Sequence, residues 1–287
     1  MGPRHSVLAI IVFLVSLTAA LHATKASCTF DTFTVPSKYT LNAVQGIGDD
    51  GTIVGQLQDN ATQLLVGFMR SPNGVITVYS APKSITTGLY GENATGTSAG
   101  SYQDNGSKVH GFTLANGTFT AINYPNAANT WLFDVNHVGA MVGSYGGGAS
   151  VKGFLFVNGQ YTSIAYPSGQ VTYPMAVNDH NAVVGSAASG WVNNGFLWQD
   201  GKFTTINFPK SRFGTILTGI NNSGLIVGNH ISADKSFGFI YESGVFKGIV
   251  YPGSYYTVVG GINNNGLISG QIFLTATETI GYTAVCK

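Results

Sequence analysis

Several residue patterns in this chain have the types and spacing of reaction or binding sites. Gly96-Thr97-Ser98-Ala99-Gly100 has the spacing of a hydrolase nucleophile elbow, in which a strained strand-to-helix turn exposes the serine. Asp134, Asn136 and Gly139 are placed as in a calcium loop, which needs several oxygen ligands on one turn. Gly146-Gly147-Gly148 would suit a phosphate if a helix N-terminus followed it. Beyond residue 26 stand His110, His137, His180 and His230 and all 12 acidic side chains of the chain, enough for a metal set or for a paired acid and base. Cys28 and Cys286 are the only cysteines. Trp131, Tyr173 and Trp191 offer flat apolar faces with a polar edge, which suit the ring face of a sugar.

The elements that would position these residues come from one repeat. Its first landmark is a turn-and-strand phrase, clearest in GINNSGLIVG (219–228) and GINNNGLISG (261–270), whose last glycine recurs at 55, 100, 143, 185, 228 and 270. A glycine followed by an aromatic recurs at 67, 111, 153, 195, 238 and 281, with Phe next in five copies and Tyr282 in the last. A strand ending in proline recurs at 36, 82, 125, 167, 209 and 252, as in QYTSIAYP and KFTTINFP. Successive separations stay between 42 and 46 residues, so these are three marks of one period.

Each copy reads as four short strands, the size and content of a propeller blade. The fold expected is all-β, a six-bladed β-propeller of four-stranded blades. Tight hairpins are expected at Asn73-Gly74, Asn116-Gly117, Asn158-Gly159 and Asp200-Gly201, because a type I′ turn needs positive φ at both central residues. The first turn of each copy closes on a glycine except at Asn181, the residue type that best tolerates the left-handed region after glycine.

CTFDTFTVP (28–36) is a fourth strand without the preceding three, and GYTAVCK (281–287) is a third strand without a fourth. Joined, they complete the last blade and close the ring. Cys286 lies five residues after Gly281 and Cys28 eight before Pro36, the offsets that the hairpin turn occupies in the other copies. A disulfide there would replace the missing peptide turn.

Against this frame most of the chemical patterns dissolve. Ser98 aligns with Ile53, Met141, Val183, Ile226 and Ile268, inside a strand with no helix after it. The fifth and sixth copies carry Asn221 and Asn222, and Asn263, Asn264 and Asn265, but no carboxylate in the turn, so hydrogen-bonded turns are the better reading and no metal or other cofactor is expected. The glycine run is a loop. The four histidines fall at four different repeat positions, and Asp49, Asp50, Asp179 and Asp200 are turn residues, so no catalytic residues are assigned.

The phrases GINNNGLISG, VHGFTL and NGTFTAINYP, repeated over nearly the whole chain after residue 26, resemble the HAF-type extracellular repeat of secreted bacterial proteins. The His-Ala-Phe of that repeat stands here as Gly-Phe, once preceded by His110. The resemblance implies an exported β-propeller-like protein and implies no reaction.

The N-terminus supports export. An apolar run from Val7 to about Leu21 follows Arg4 and is too short for a confident membrane span, so residues 1–26 read as a signal peptide and 27–287 as a single propeller domain. Cleavage after Ala23 and cleavage after Ala26 both fit, and Lys25 argues against a lipidated Cys28. An oxidising compartment, secreted or periplasmic, agrees with a paired Cys28 and Cys286. Only 9% of residues are charged and the net charge is +1, which excludes a nucleic-acid footprint and anionic-membrane binding. Asn-x-Ser/Thr sequons stand at Asn60, Asn93, Asn105, Asn116 and Asn221.

The variable residues fall on one face, carried by loops after the second strand (Trp191, Asp234 and Lys235 among them) and by connections after the prolines (Trp131, Tyr173, Arg212). Trp131 and Tyr173 each lie five residues before the turn Asn of their copies, so they should be equivalent positions on adjacent blades. The function expected is a monomeric, non-catalytic binding module for an extracellular carbohydrate or protein. The alternatives are a structural or adhesive surface domain, and a hydrolase or lyase with a site on the loop face.

Overall fold

The computed structural model describes residues 23–148, 150–167, 171–190, 192–232 and 236–287. The expected signal segment up to residue 22, and Trp191, Asp234 and Lys235, lie outside the described residues. Among the described residues the regular structure is 25 β-strands with no helix.

The strands pair in a recurring order. Asn129–Val135 runs antiparallel to Met141–Gly147, which pairs with Ser150–Val157, which pairs with Gln160–Ile164. The same succession begins at Tyr39, Ser84, Val171 and Gly214. The last begins at Tyr256 and runs through Ile268–Phe273 to Thr279–Cys286. Its outer partner is the N-terminal strand Cys28–Phe33, in register from Cys28 opposite Cys286 to Phe33 opposite Gly281. The disulfide Cys28–Cys286 spans that end with Cα atoms 4.1 Å apart and joins positions 258 residues apart in sequence.

Every innermost strand carries a β-bulge two residues before its end or close to it, skipping Gln45, Tyr90, Phe133, Met175, Thr218 and Gly260 in the ladder. Two residues earlier, a carbonyl turns toward the neighbouring strand and meets the phrase glycine. A Cβ on Gly143 would lie 2.0 Å from the Trp131 carbonyl oxygen and 2.8 Å from the Phe154 ring. A glycine is required there because backbone and aromatic approach from opposite sides. The aromatic that follows the second landmark is the anchor of the core: Phe68, Phe112, Phe154, Phe196, Phe239 and Tyr282 are all fully buried. Clusters bridge successive runs, as where Leu217, Phe239 and Phe246 pack with Ala176 and Val184.

The turns mostly follow their sequence. Asn116, Asn158, Asp200 and Ser243 have φ between 48° and 50°, each followed by a positive-φ glycine, as a type I′ turn requires. Asn181 adopts φ 59° as the single non-glycine closing residue of the first turns. Asn73-Gly74 departs from expectation. Only Gly74 has positive φ, and the loop is Ser71-Pro72-Asn73-Gly74, with Gly74 N–H donating to Ser71 and Ser71 N–H to Val75. Pro72 holds φ negative and builds a type I turn closed by a left-handed glycine. The fourth strands end three or four residues before their prolines, at Ala121 before Pro125 and Ile164 before Pro167 for instance, and the proline sits in the turn that follows. Two of the five sequons are closed to modification: Asn93 and Asn221 are buried, and their side chains hold turns.

Candidate functional site: a polar clasp and an aromatic rim

The first turn of each copy starts on Gly48, Asn93, Asn136, Asn178, Asn221 or Asn263, and each Asn holds its own turn by accepting backbone N–H bonds through Oδ1. Its Nδ2 donates to the backbone carbonyl of the next turn: 93 to 136 (3.1 Å), 136 to 178 (2.9 Å), 178 to 221 (3.2 Å), 221 to 263 (3.4 Å), 263 to 48 (2.9 Å). The chain of amides thus returns to its start across 215 residues of sequence. Gly48 has no side-chain amide, so the step from 48 to 93 is the one seam.

The residue after each Asn builds a second circle. His137 N–H donates to Asp179 Oδ1 (3.0 Å), Asp179 N–H to Asn222 Oδ1 (2.9 Å), Asn222 N–H to Asn264 Oδ1 (2.8 Å), and Asn264 N–H to Asp49 Oδ1 (2.8 Å). Ala94 stands where the sixth member would be, and the His137 ring crosses that gap. Its Nε2 is 3.0 Å from Asp49 Oδ2 and its Nδ1 3.2 Å from Asp179 Oδ2.

Behind the clasp, residues from all six innermost strands line a cavity of about 70 Å³. That is room for about two water molecules. Four carboxyl-bearing residues line it: Asp49 and Asp179 of the clasp, and Asp134 and Glu92 of the innermost strands. Asp134 occupies a column that is otherwise Gly46, Gly91, Ala176, Gly219 and Gly261; a Cβ on Gly91 would fall 2.0 Å from its Oδ1. Desolvation raises its pKa to about 6, a rise that N–H bonds from Val177 and Val135 and the charge of His137 moderate and Asp179 reinforces. Glu92 occupies a column of Ile47, Val135, Val177, Ile220 and Ile262. Its side chain runs past Gly48 at the seam, its Oε2 is buried with no hydrogen-bond partner, and burial followed by the charge of Asp50 lifts its pKa to about 8.

From the sequence, Asp49 and Asp179 read as turn residues and Glu92 is given no place, so nothing brings these carboxyls together. The bulge is the reason: it re-aims the last residues of each innermost strand, so period-two facing does not predict which side chains look inward. The signal lay in the repeat columns, where Glu92 and Asp134 interrupt rows of aliphatic and small residues. Among the described residues no group of three or more His, Cys, Asp or Glu side chains could hold a metal ion.

The aromatic pair lies toward the other ends of the innermost strands. Trp131 and Tyr173 are within strands rather than in the connections, the third residues of Asn129–Val135 and Val171–Val177. Their equivalence holds: each stands two residues before its bulge, opposite Ser144 and Ser186. Their neighbours pin the strands. Thr130 Oγ1 accepts from Tyr124 N–H (3.0 Å), Thr172 Oγ1 from Tyr166 N–H (3.1 Å), and Ser144 Oγ donates to Thr172 O (2.9 Å). Both rings are half-buried, and Tyr173 meets Phe133 edge-on at 6.4 Å, with Phe133 in turn edge-on to Tyr90 at 5.7 Å. Also on this side, His110 pairs with Asp104 at 2.9 Å and stacks on Tyr102. Ser98 is fully buried in Thr97–Asp104, its hydroxyl without a partner, which is no place for a nucleophile.

No protein-family model and no curated protein matches the chain. Solved structures do. The virginiamycin B lyase of Staphylococcus aureus is similar at 12% identity, covering 90% of this chain and 88% of that one, with a TM-score of 0.52. The β-propeller domain of the Trilobed protease from Pyrococcus furiosus, described as having an open velcro topology, is similar at 8% identity over 86% and 81%, TM-score 0.54. Aleuria aurantia lectin, in complex with α-methyl-L-fucoside, is similar at 11% identity over 86% and 91%, TM-score 0.56. At these identities the likeness shows the fold alone, a β-propeller, and a lyase and a lectin share it.

Proposed function

We propose that the chain is an exported, monomeric six-bladed β-propeller, one domain of four-stranded blades with the strand Cys28–Phe33 completing the last blade, and that it acts as a non-catalytic binding module for a neutral extracellular glycan. What supports six blades is the recurring four-strand succession and the circle of amides that passes through six turns. The repeat's resemblance to the HAF-type extracellular family and the disulfide support export. No helix among the described residues is long and apolar enough to cross a membrane.

The observation that carries the binding reading is the matched placement of Trp131 and Tyr173 on successive innermost strands, each half-buried and each opposite a serine. Two such platforms suit a pyranose, whose apolar face stacks while its hydroxyls find polar partners. The cavity at the other end of these strands favours no catalytic reading, because about 70 Å³ leaves little room for a substrate. The test is retention of the purified exported protein on a panel of neutral and charged polysaccharides with chelator present. Retention on a neutral glycan is the expected result; retention only on charged glycans, or on none, contradicts the proposal.

A further inference from the structure

The first described strand, Thr24–Lys25, lies outside the repeat. It runs parallel to the outer strand Val245–Ile249, with Thr24 opposite Lys247 and Lys25 opposite Gly248. Ala26 N–H then donates to the Gly248 carbonyl at 2.9 Å. Ala26 is only 5% exposed and packs in the cluster of Ile240, Ile249, Val259 and Tyr282. The next residue ties the two chain ends together, Ser27 and Lys287 exchanging both backbone bonds at 3.2 and 2.9 Å. Residues 24–26 therefore cap a sheet edge and seal a core cluster. Thr24 and Lys25 point outward, where a charged terminal amine stays hydrated.

From this we propose that signal peptidase cuts after Ala23 and that the mature protein begins Thr24-Lys25-Ala26, an assignment that rests on the export reading above. The two candidate cuts are alike in sequence, since both leave an alanine at the new C-terminus. They differ in what remains to fold. A cut after Ala26 removes the whole edge strand, exposes the edge of Val245–Ile249 and uncovers part of the cluster that Tyr282 anchors. A cut after Ala23 removes nothing that the described fold uses.

N-terminal sequencing of the protein exported from a secretion-competent bacterial host expressing all 287 residues tests this. The expected sequence is Thr-Lys-Ala-Ser-Cys. A start at Ser27 would overturn the assignment while leaving export intact, whereas a chain still carrying Met1 would overturn export and the assignment with it. The structural premise has its own measurement: protein beginning at Ser27 should unfold several degrees below protein beginning at Thr24, and equal unfolding temperatures would overturn the edge-strand argument.

Discussion

Tyr282 holds the position that Phe68, Phe112, Phe154, Phe196 and Phe239 hold in the other copies, and its hydroxyl is buried with no partner. Burial drives its ionisation far above the usual tyrosine range, so it stays a neutral phenol whose hydrogen bond to water has been lost. The hydroxyl presses toward Gly270, where a Cβ would lie 2.6 Å away. An unmet buried hydroxyl costs about 1–3 kcal/mol, offset by the packing its atom supplies. Tyr282→Phe should therefore raise stability by about 1 kcal/mol, or about 2–4 °C in a thermal scan, and a lowered midpoint would show that the hydroxyl has a partner. Ser98 is a parallel case, polar in an otherwise aliphatic column. Its exclusion as a nucleophile was legible by alignment alone, because a strand column of Ile, Met and Val states the burial of that position. The pairing of His137 with Asp49 and Asp179 was not legible, since these residues lie 88 and 42 positions apart in sequence and only closure of the circle brings them together.

At the scale of elements, the bulge decides what the channel contains. It turns Asp134 and Glu92 inward from columns where small or aliphatic residues pack, and the raised pKa of each follows from that desolvation. The carboxyl of Glu92 sits at about 8 in the fold against 4.5 for an ordinary glutamate. Between those values the folded chain keeps a proton that the unfolded chain has released. Stability from this group is thus fully present below pH 4.5 and is lost as pH rises through 8. Asp134 adds the same sign between 3.8 and about 6. Glu92→Gln should flatten the fall in unfolding temperature between pH 5 and pH 8 and leave the protein more stable than wild type at pH 8; an unchanged pH profile would place the Glu92 carboxyl in water. The strands and most hairpins were legible because their turn residues have a steric reason to be Asn or Gly. The bulges were not, because a skipped residue leaves the period of the repeat intact, and Asn73-Gly74 misled because Pro72 changes the turn one residue upstream.

For the whole molecule, closure is the feature that the sequence announced most openly: the offsets of Cys28 and Cys286 in a split repeat correspond to strands paired in register and joined by a disulfide. The bond restricts nearly the entire unfolded chain. Loop-entropy models give about 5 kcal/mol for such a span, an upper figure because the strands also pair without it. Reduction should shift the denaturation midpoint down by a measurable part of that amount, and peptide mapping that found both thiols free in exported protein would contradict the closure. A ring closed in this way is a rigid frame on which Trp131 and Tyr173 hold matched positions, and the central claim is that those two rings serve a ligand rather than the packing of the frame. The most direct measurement is calorimetric titration of the retained neutral glycan into wild type, Trp131→Ala and Tyr173→Ala, with thermal unfolding recorded for each. The account predicts that each substitution weakens binding by about 1–3 kcal/mol while the unfolding midpoint stays nearly unchanged. Unaltered affinity with a markedly lowered midpoint in both variants would contradict it and make the two rings part of the packing.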